Sequence, residues 1–163
     1  MSFEAFIKID GITGESRDDQ HTDEIEISSY GFSISHPSTG VSGAGGHSGG
    51  KASFGDLFIS KEIDAASPIL YLAAADGRSI PNVVLTLARA GGDKMVFLRV
   101  EMTNVMITGV TPSGSGGAID SLPMEQVSMA CETVKWTYTK QGTDGKAVGD
   151  VSAGWDIAKG AKK

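Results

Sequence analysis

The sequence predicts a mainly β protein: a two-sheet antiparallel β-barrel with one flanking α-helix, built as a single domain over residues 1–163. Three observations predict it. Apolar residues alternate at strand spacing through most of the chain, and only one segment shows helical spacing. The alternation reverses phase inside three long segments, as strongly coiled strands that bury opposite faces at their two ends must do. The 22 glycines exceed the usual share of about 7% and mark a chain with many turns.

The elements follow in order. "FEAFIKI" near the N-terminus alternates as a first strand. In "EIEISSYGFSISH" the apolar set passes from odd positions (Ile25, Ile27) to even ones (Tyr30, Phe32, Ile34), with the shift at Ser28-Ser29. "SFGDLFIS" reads as the next strand. In "IDAASPILYLAAADG", Ile69, Leu70, Leu72 and Ala73 recur at helical spacing. Ser67 caps this helix with Pro68 at the first helical position, or Asp64 caps it one turn earlier, and Gly77 ends it in the left-handed region. "PNVVLTLARA" resumes the strands. In "VFLRVEMTNVMITGV" the even set Leu98, Val100, Met102 gives way to Val105 and Ile107. In "QVSMACETVKWTYT" Val127, Met129, Cys131 give way to Val134, Trp136, Tyr138. A C-terminal "GWDI" completes about seven strands, enough for a closed or nearly closed barrel. Glycine-rich loops occupy 37–50, 90–94 and 112–120.

Composition narrows the function classes. A formal charge of −6 opposes binding to a phosphodiester backbone in the absence of a basic patch, and none is visible, so no nucleic-acid partner is expected. Lys159, Lys162 and Lys163 make a short basic tail that reads as a solvated end. The N-terminus lacks the basic-then-apolar pattern of a signal peptide. The longest strongly apolar run, 69–75, falls short of the roughly 20 residues of a membrane helix, so no membrane insertion is expected. Cys131 is the sole cysteine, which excludes an intramolecular disulfide.

Candidate chemical sites each have a simpler reading. Gly45, Gly50 and Lys51 have the spacing of a phosphate-binding loop, but Ala52 replaces the magnesium-binding Ser or Thr and a strand follows instead of a helix. The segment reads as a flexible connection. Glu15, Asp18, Asp19, His21, Asp23 and Glu24 lack EF-hand spacing and read as a polar loop between the first two strands. Cys131, in phase with Val127 and Met129, reads as a core thiol. Trp136 and Tyr138 share one strand face with Val134 and read as core aromatics. No catalytic, cofactor or metal site emerges, and no enzyme activity is expected.

A set of ordered segments resembles the Hcp family, the hemolysin co-regulated proteins of bacterial type VI secretion. The segments are "FIKIDGITGES" at 6–16, the glycine-rich loop ending in Lys51, "DLFISKEIDAASPIL" at 56–70, "ARAGGDK" at 88–94, the Ser/Gly loop at 113–117, "VKWTYT" at 134–139 and "GWDI" at 154–157. Within them, K-x-I-D-x-x-S-P from Lys61 to Pro68 is the most specific. The resemblance implies a barrel of two sheets with a flanking helix. It also implies homohexameric rings that stack into a hollow inner tube, driven by contractile sheath proteins, tipped by a VgrG spike and carrying effector cargo in the lumen. On that reading the protein starts in the bacterial cytoplasm and leaves through the type VI system. The resemblance further assigns the loop of Gly40, Val41, Ser42, Gly43, Gly45, Gly46, His47, Gly49, Gly50 and Lys51 to contacts between subunits, its glycines granting the conformational range to order on assembly. The segment from Ser28 to Ser33 resembles the family's channel-facing one, which implies that Ser29 and Gly31 face the lumen, where small or polar side chains suit reversible cargo contact. The short "KGAKK" tail predicts no appended effector domain. The alternative is a monomeric barrel that binds a ligand or a partner.

Overall fold

The computed structural model describes residues 2–37, 51–117 and 122–163. These form β1 (Phe3–Ile9), β2 (Ile25–Ile27), β3 (Ser29–Gly31), β4 (Ile34–Ser35), β5 (Ser53–Phe54), β6 (Leu57–Glu62), α1 (Ser67–Asp76), β7 (Ser79–Arg89), β8 (Val96–Ser113), β9 (Met124–Gln141), β10 (Ala147–Asp156) and β11 (Ala161–Lys162). The long hairpin β8–β9 is common to the two arms of one continuous nine-stranded antiparallel sheet, beside which β4 and β5 form a separate short ladder. One arm runs β11-β10-β9-β8-β7-β1-β2, and the other adds β6 and β3 beside the first half of β9.

Each phase reversal coincides with a change in what the strand meets. Ile25 and Ile27 on β2 register with Ile7 and Ala5 of β1. One residue later, Ser28 donates its N–H to the Ser60 carbonyl at 2.7 Å, and β3 runs beside β6 with Tyr30 opposite Ile59. The segment 25–31 thus passes from one arm to the other, and the path of pairing β1, β7, β8, β9, β6, β3 returns through it to β1. On β8, buried Val100 and Met102 give way to buried Val105 and Ile107 across Asn104, which adopts a left-handed φ of 52°. On β9, the half 124–129 lies along β6 and the half 133–141 along β10, with β8 on the opposite edge throughout.

The core lies between the two arms and under the helix. Ile7, Ile25, Ile59, Leu70, Leu85, Val105 and Val127 are fully buried, each contributing about 1.5–3 kcal/mol by leaving water. Helix α1 directs Leu70 and Ala73 into this core. Gly77 ends it at φ 64° with its N–H on the Ala73 carbonyl, the left-handed cap the sequence predicts. The start differs in one respect: Ser67 is not the cap. Nor is Asp64: the cap position is Ala66, with no side-chain cap bond, and the Asp64 carboxylate accepts the Ala66 N–H at 2.9 Å in the turn that leads into the helix. Ser67 points inward instead.

Ser67 turns inward because an ionic cluster waits there. Lys61 and Glu125, directly opposed on β6 and β9, are both buried, and Lys61 Nζ lies 2.5 Å from Glu125 Oε1 and 2.8 Å from Asp64 Oδ1. Ser67 Oγ donates to the same Glu125 oxygen at 2.6 Å, while the Tyr71 hydroxyl donates to the other at 2.7 Å. Burial alone would push the Glu125 carboxyl up; the hydrogen bonds from Lys61, Ser67 and Tyr71 outweigh it and hold the carboxyl below its ordinary value. The same Glu125 hydrogen bond raises the Tyr71 hydroxyl. Helix α1 is therefore fastened to the β6–β9 ladder by its first two turns.

Three sequence readings need correction. Tyr138 is 44% exposed, flanked by Leu98 and Val151 on the neighbouring strands but left uncovered on its face by the described residues. Cys131 is only half-buried, since it lies where β9 changes partners. The last long strand begins at Ala147, well before "GWDI", and its first part is exposed on both faces.

Candidate assembly surface

The outward face of the β3-β6-β9-β8 sheet carries an unusual composition. Tyr30, Ile59 and Val127 face the core, so their neighbours in sequence point the other way. Ser29 lies opposite Ser60, Ser60 opposite Gln126, and Gln126 opposite Thr111. In the adjacent row Gly31 faces Phe58, Phe58 faces Ser128, and Ser128 faces Gly109. None of these eight residues is charged, in a chain where 21% of residues are; the charge on this face comes in the next row, with Glu62 of β6 opposite Met124. The outward face of the other arm is different: there Arg99 lies opposite Thr137 and Glu101 opposite Lys135.

Both sequence-predicted channel residues fall on this strip. Ser29 is exposed, and Gly31 is half-covered. A Cβ on Gly31 would lie 2.3 Å from Phe58 Cζ, so the glycine is what lets the Phe58 ring lie across β3. Their partners Ser60, Phe58, Gln126, Ser128, Gly109 and Thr111 were not singled out from the sequence. The alternation of "LFISK" held the signal, because Phe58 and Ser60 are the residues its buried set excludes.

The strip also has two open edges among the described residues. Beyond Met106, where β7 ends its pairing, β8 has β9 alone beside it. On the far side β3 pairs with β6 alone. Of the predicted assembly loop, Gly40, Val41, Ser42, Gly43, Gly45, Gly46, His47, Gly49 and Gly50 lie outside the described residues. Lys51 is exposed, and the short ladder of β4 and β5 (Ile34 opposite Phe54, Ser35 opposite Ser53) brings the two ends of the segment together.

The acidic stretch 15–24 folds as a loop joining β1 to β2. His21 is buried there, its ring stacked on Phe6 at 4.3 Å and its Nδ1 3.0 Å from Glu24 Oε2. Lys94 ties this loop to the β7–β8 turn by pairing with Asp18 and, at 2.9 Å, with Glu4. The hydrogen bond from Lys94 holds the Asp18 carboxyl below its ordinary range, and the Asp18 and Glu4 hydrogen bonds raise Lys94. Among the described residues no group of His, Cys, Asp and Glu has the arrangement of a metal site.

Comparison with known proteins decides the family. Residues 6–138 match the family described as type VI secretion system effector, Hcp. The chain belongs to the Hcp family. Across 159 residues it is 34% identical to protein hcp1 of Pseudomonas aeruginosa, covering 96% of each chain. Among solved structures it is similar to a type six secretion system protein (TM-score 0.94, 34% identity, 99% of this chain and 100% of that one). It is also similar to Hcp1 from Salmonella typhimurium (TM-score 0.80, 32% identity, all of both chains). Membership makes this a protein of the type VI secretion system and implies secretion by it. Among the described residues no helix is long and apolar enough to cross a membrane.

Proposed function

We propose that the chain is the repeating subunit of a type VI inner tube, assembling as hexameric rings that stack around a lumen lined by the β3-β6-β9-β8 face. The observation that carries this reading is the pair of uncharged rows through Ser60 and Phe58, on a sheet with an open edge on each side among the described residues. An unpaired sheet edge is a liability that natural proteins cover. Copies related by rotation would set the β8 edge of one against the β3 edge of the next, a heterologous contact that closes into a ring. The strip would then become a continuous inner wall. A wall of Ser, Gly, Gln and Thr offers hydrogen bonds without fixed charge, so folded effectors can be held and released. Phe58 supplies the one large apolar contact. The segment Gly40–Lys51 would make further contacts between copies, and the VgrG spike and the sheath are the partners this role requires.

The test is negative-stain electron microscopy with light scattering. Sixfold rings of about six times the 16.9 kDa subunit mass support the reading, and a monodisperse monomer at high concentration overturns it. Deleting 41–50 is expected to impair stacking or ring formation while leaving a folded subunit, and normal tubes from that protein would remove the loop from the assembly.

A further inference from the structure

The change of partners along β9 leaves an opening in the barrel. One edge of β9 serves β6 over 124–129 and β10 over 133–141, so among the described residues no strand lies beside the residues between on that edge. The Ile157 N–H donates to the Glu132 carbonyl there at 2.8 Å, and the remaining gap leads into a cavity of about 140 Å³. Its inner wall is Met102, Met129 and Trp136, and Phe32 and Phe54 flank its mouth. Packed interiors leave few voids larger than a water molecule, so an opening of this size among mostly apolar side chains is a candidate ligand site. A protein cavity of about 150 Å³ with apolar walls takes up a benzene ring. Methionine and aromatic walls suit a flat aromatic ligand, through polarisable sulfur and ring contacts.

Two polar residues at the mouth narrow the ligand. Asp56 and Ser33 both line it, and one Asp56 oxygen accepts the Thr108 hydroxyl at 2.7 Å. A carboxylate at the entrance accepts an N–H donor and repels an anion. We propose that this opening binds one small neutral aromatic molecule bearing an N–H donor, of the size of indole, with its ring between Met102, Met129 and Trp136 and its N–H toward Asp56. Each subunit would then carry a small-molecule passenger in its own barrel, separate from protein cargo in the lumen. The proposal does not rest on ring formation, since every residue of the site belongs to one chain.

Cys131 lines the same cavity and is the sole cysteine, which makes it a reporter in the unaltered protein. Alkylation by iodoacetamide at pH 9 is followed with and without indole. With indole at about ten times its Kd only about a tenth of the sites are empty, so alkylation is expected to slow about tenfold. Calorimetry with indole is expected to give saturable binding of one molecule per chain, with benzoate, a similarly sized anion, binding at least about tenfold more weakly. C131F, which fills the cavity, is expected to abolish the binding while mass and circular dichroism stay those of the parent. Unchanged alkylation at the solubility limit of indole overturns the site, and so does undiminished binding to a folded C131F protein. Benzoate binding as tight as indole overturns the ligand class.

Discussion

Replacing Lys61 by Met tests whether the ionic cluster under α1 fastens the helix to the barrel. Lys61 is 0% exposed, and its ammonium meets Glu125 at 2.5 Å, Asp64 at 2.8 Å and the Glu62 carbonyl at 2.8 Å. Met matches the stem and removes the charge. Glu125 then keeps the Ser67 and Tyr71 hydroxyls as donors but remains a buried carboxylate without a counter-charge. Breaking a buried pair in this way costs about 3–5 kcal/mol. In a chain of this length each kcal/mol lowers Tm by about 2–4 °C, so the expected drop is about 6–20 °C. The double variant K61M/E125L removes the stranded charge as well and is expected to recover at least half of the loss, because apolar replacement of a buried pair is often close to neutral. Both are measured by chemical denaturation and circular dichroism at one fixed protomer concentration, since assembly shifts apparent stability. A cost below about 1 kcal/mol for K61M, or a double variant as unstable as K61M, would refute the argument. The pH dependence has a defined sign. The folded Glu125 carboxyl lies below its ordinary value of 4.5, so its stabilisation is complete above that value and is lost as the pH falls through the lowered one.

Three further outcomes are expected. Burial and the charge of Asp56 push the Cys131 thiol up to about 11, so the unliganded protein reacts slowly with Ellman's reagent at pH 7.5 and faster as the pH rises, whereas rapid labelling at pH 7.5 would contradict the burial described. Gly31→Ala places a methyl against the Phe58 ring and is expected to destabilise by about 1–3 kcal/mol; adding Phe58→Ala should relieve the clash, and purely additive losses in the double variant would show that the ring can move aside. Ser29→Lys puts a charge on the uncharged strip and is expected to change effector retention in pull-downs while rings persist in micrographs, with unchanged retention counting against a channel-facing strip.

How much of this was legible in the sequence depended on the range of the interaction concerned. The phase reversals at Ser28, Asn104 and after Cys131 are local patterns, and each proved to be a place where a strand changes arm, twist or partner. The strip was half legible: alternation fixes which residues of β6 point outward, but not that Ser60 lines up with Ser29 on one side and Gln126 on the other. The cluster at Lys61 was legible only as a resemblance. The motif K-x-I-D-x-x-S-P brings Lys61, Asp64 and Ser67 together, yet the carboxylate that makes them one unit, Glu125, is 64 residues away, and no local rule reports it. Tyr138 was misread for a related reason, because alternation tells which face a side chain occupies and not whether anything covers that face.

The strand switches connect the observations that bear on function. A strand that stayed in one arm would keep one outward face along its length, and that face would serve one environment. Because β8 and β9 reverse parity midway, their first and second halves present different residues outward. Arg99, Glu101 and Lys135 face outward on the arm with β7 and β10, and Thr111, Gly109, Gln126 and Ser128 face outward on the arm with β6. A single hairpin thus supplies a charged face to one side of the subunit and an uncharged face to the other. On the proposed reading a tube wall needs that asymmetry, with solvent or sheath outside and cargo within. The same switch on β9 opens the gap beside Cys131, so the geometry that divides the two faces also creates the cavity between them.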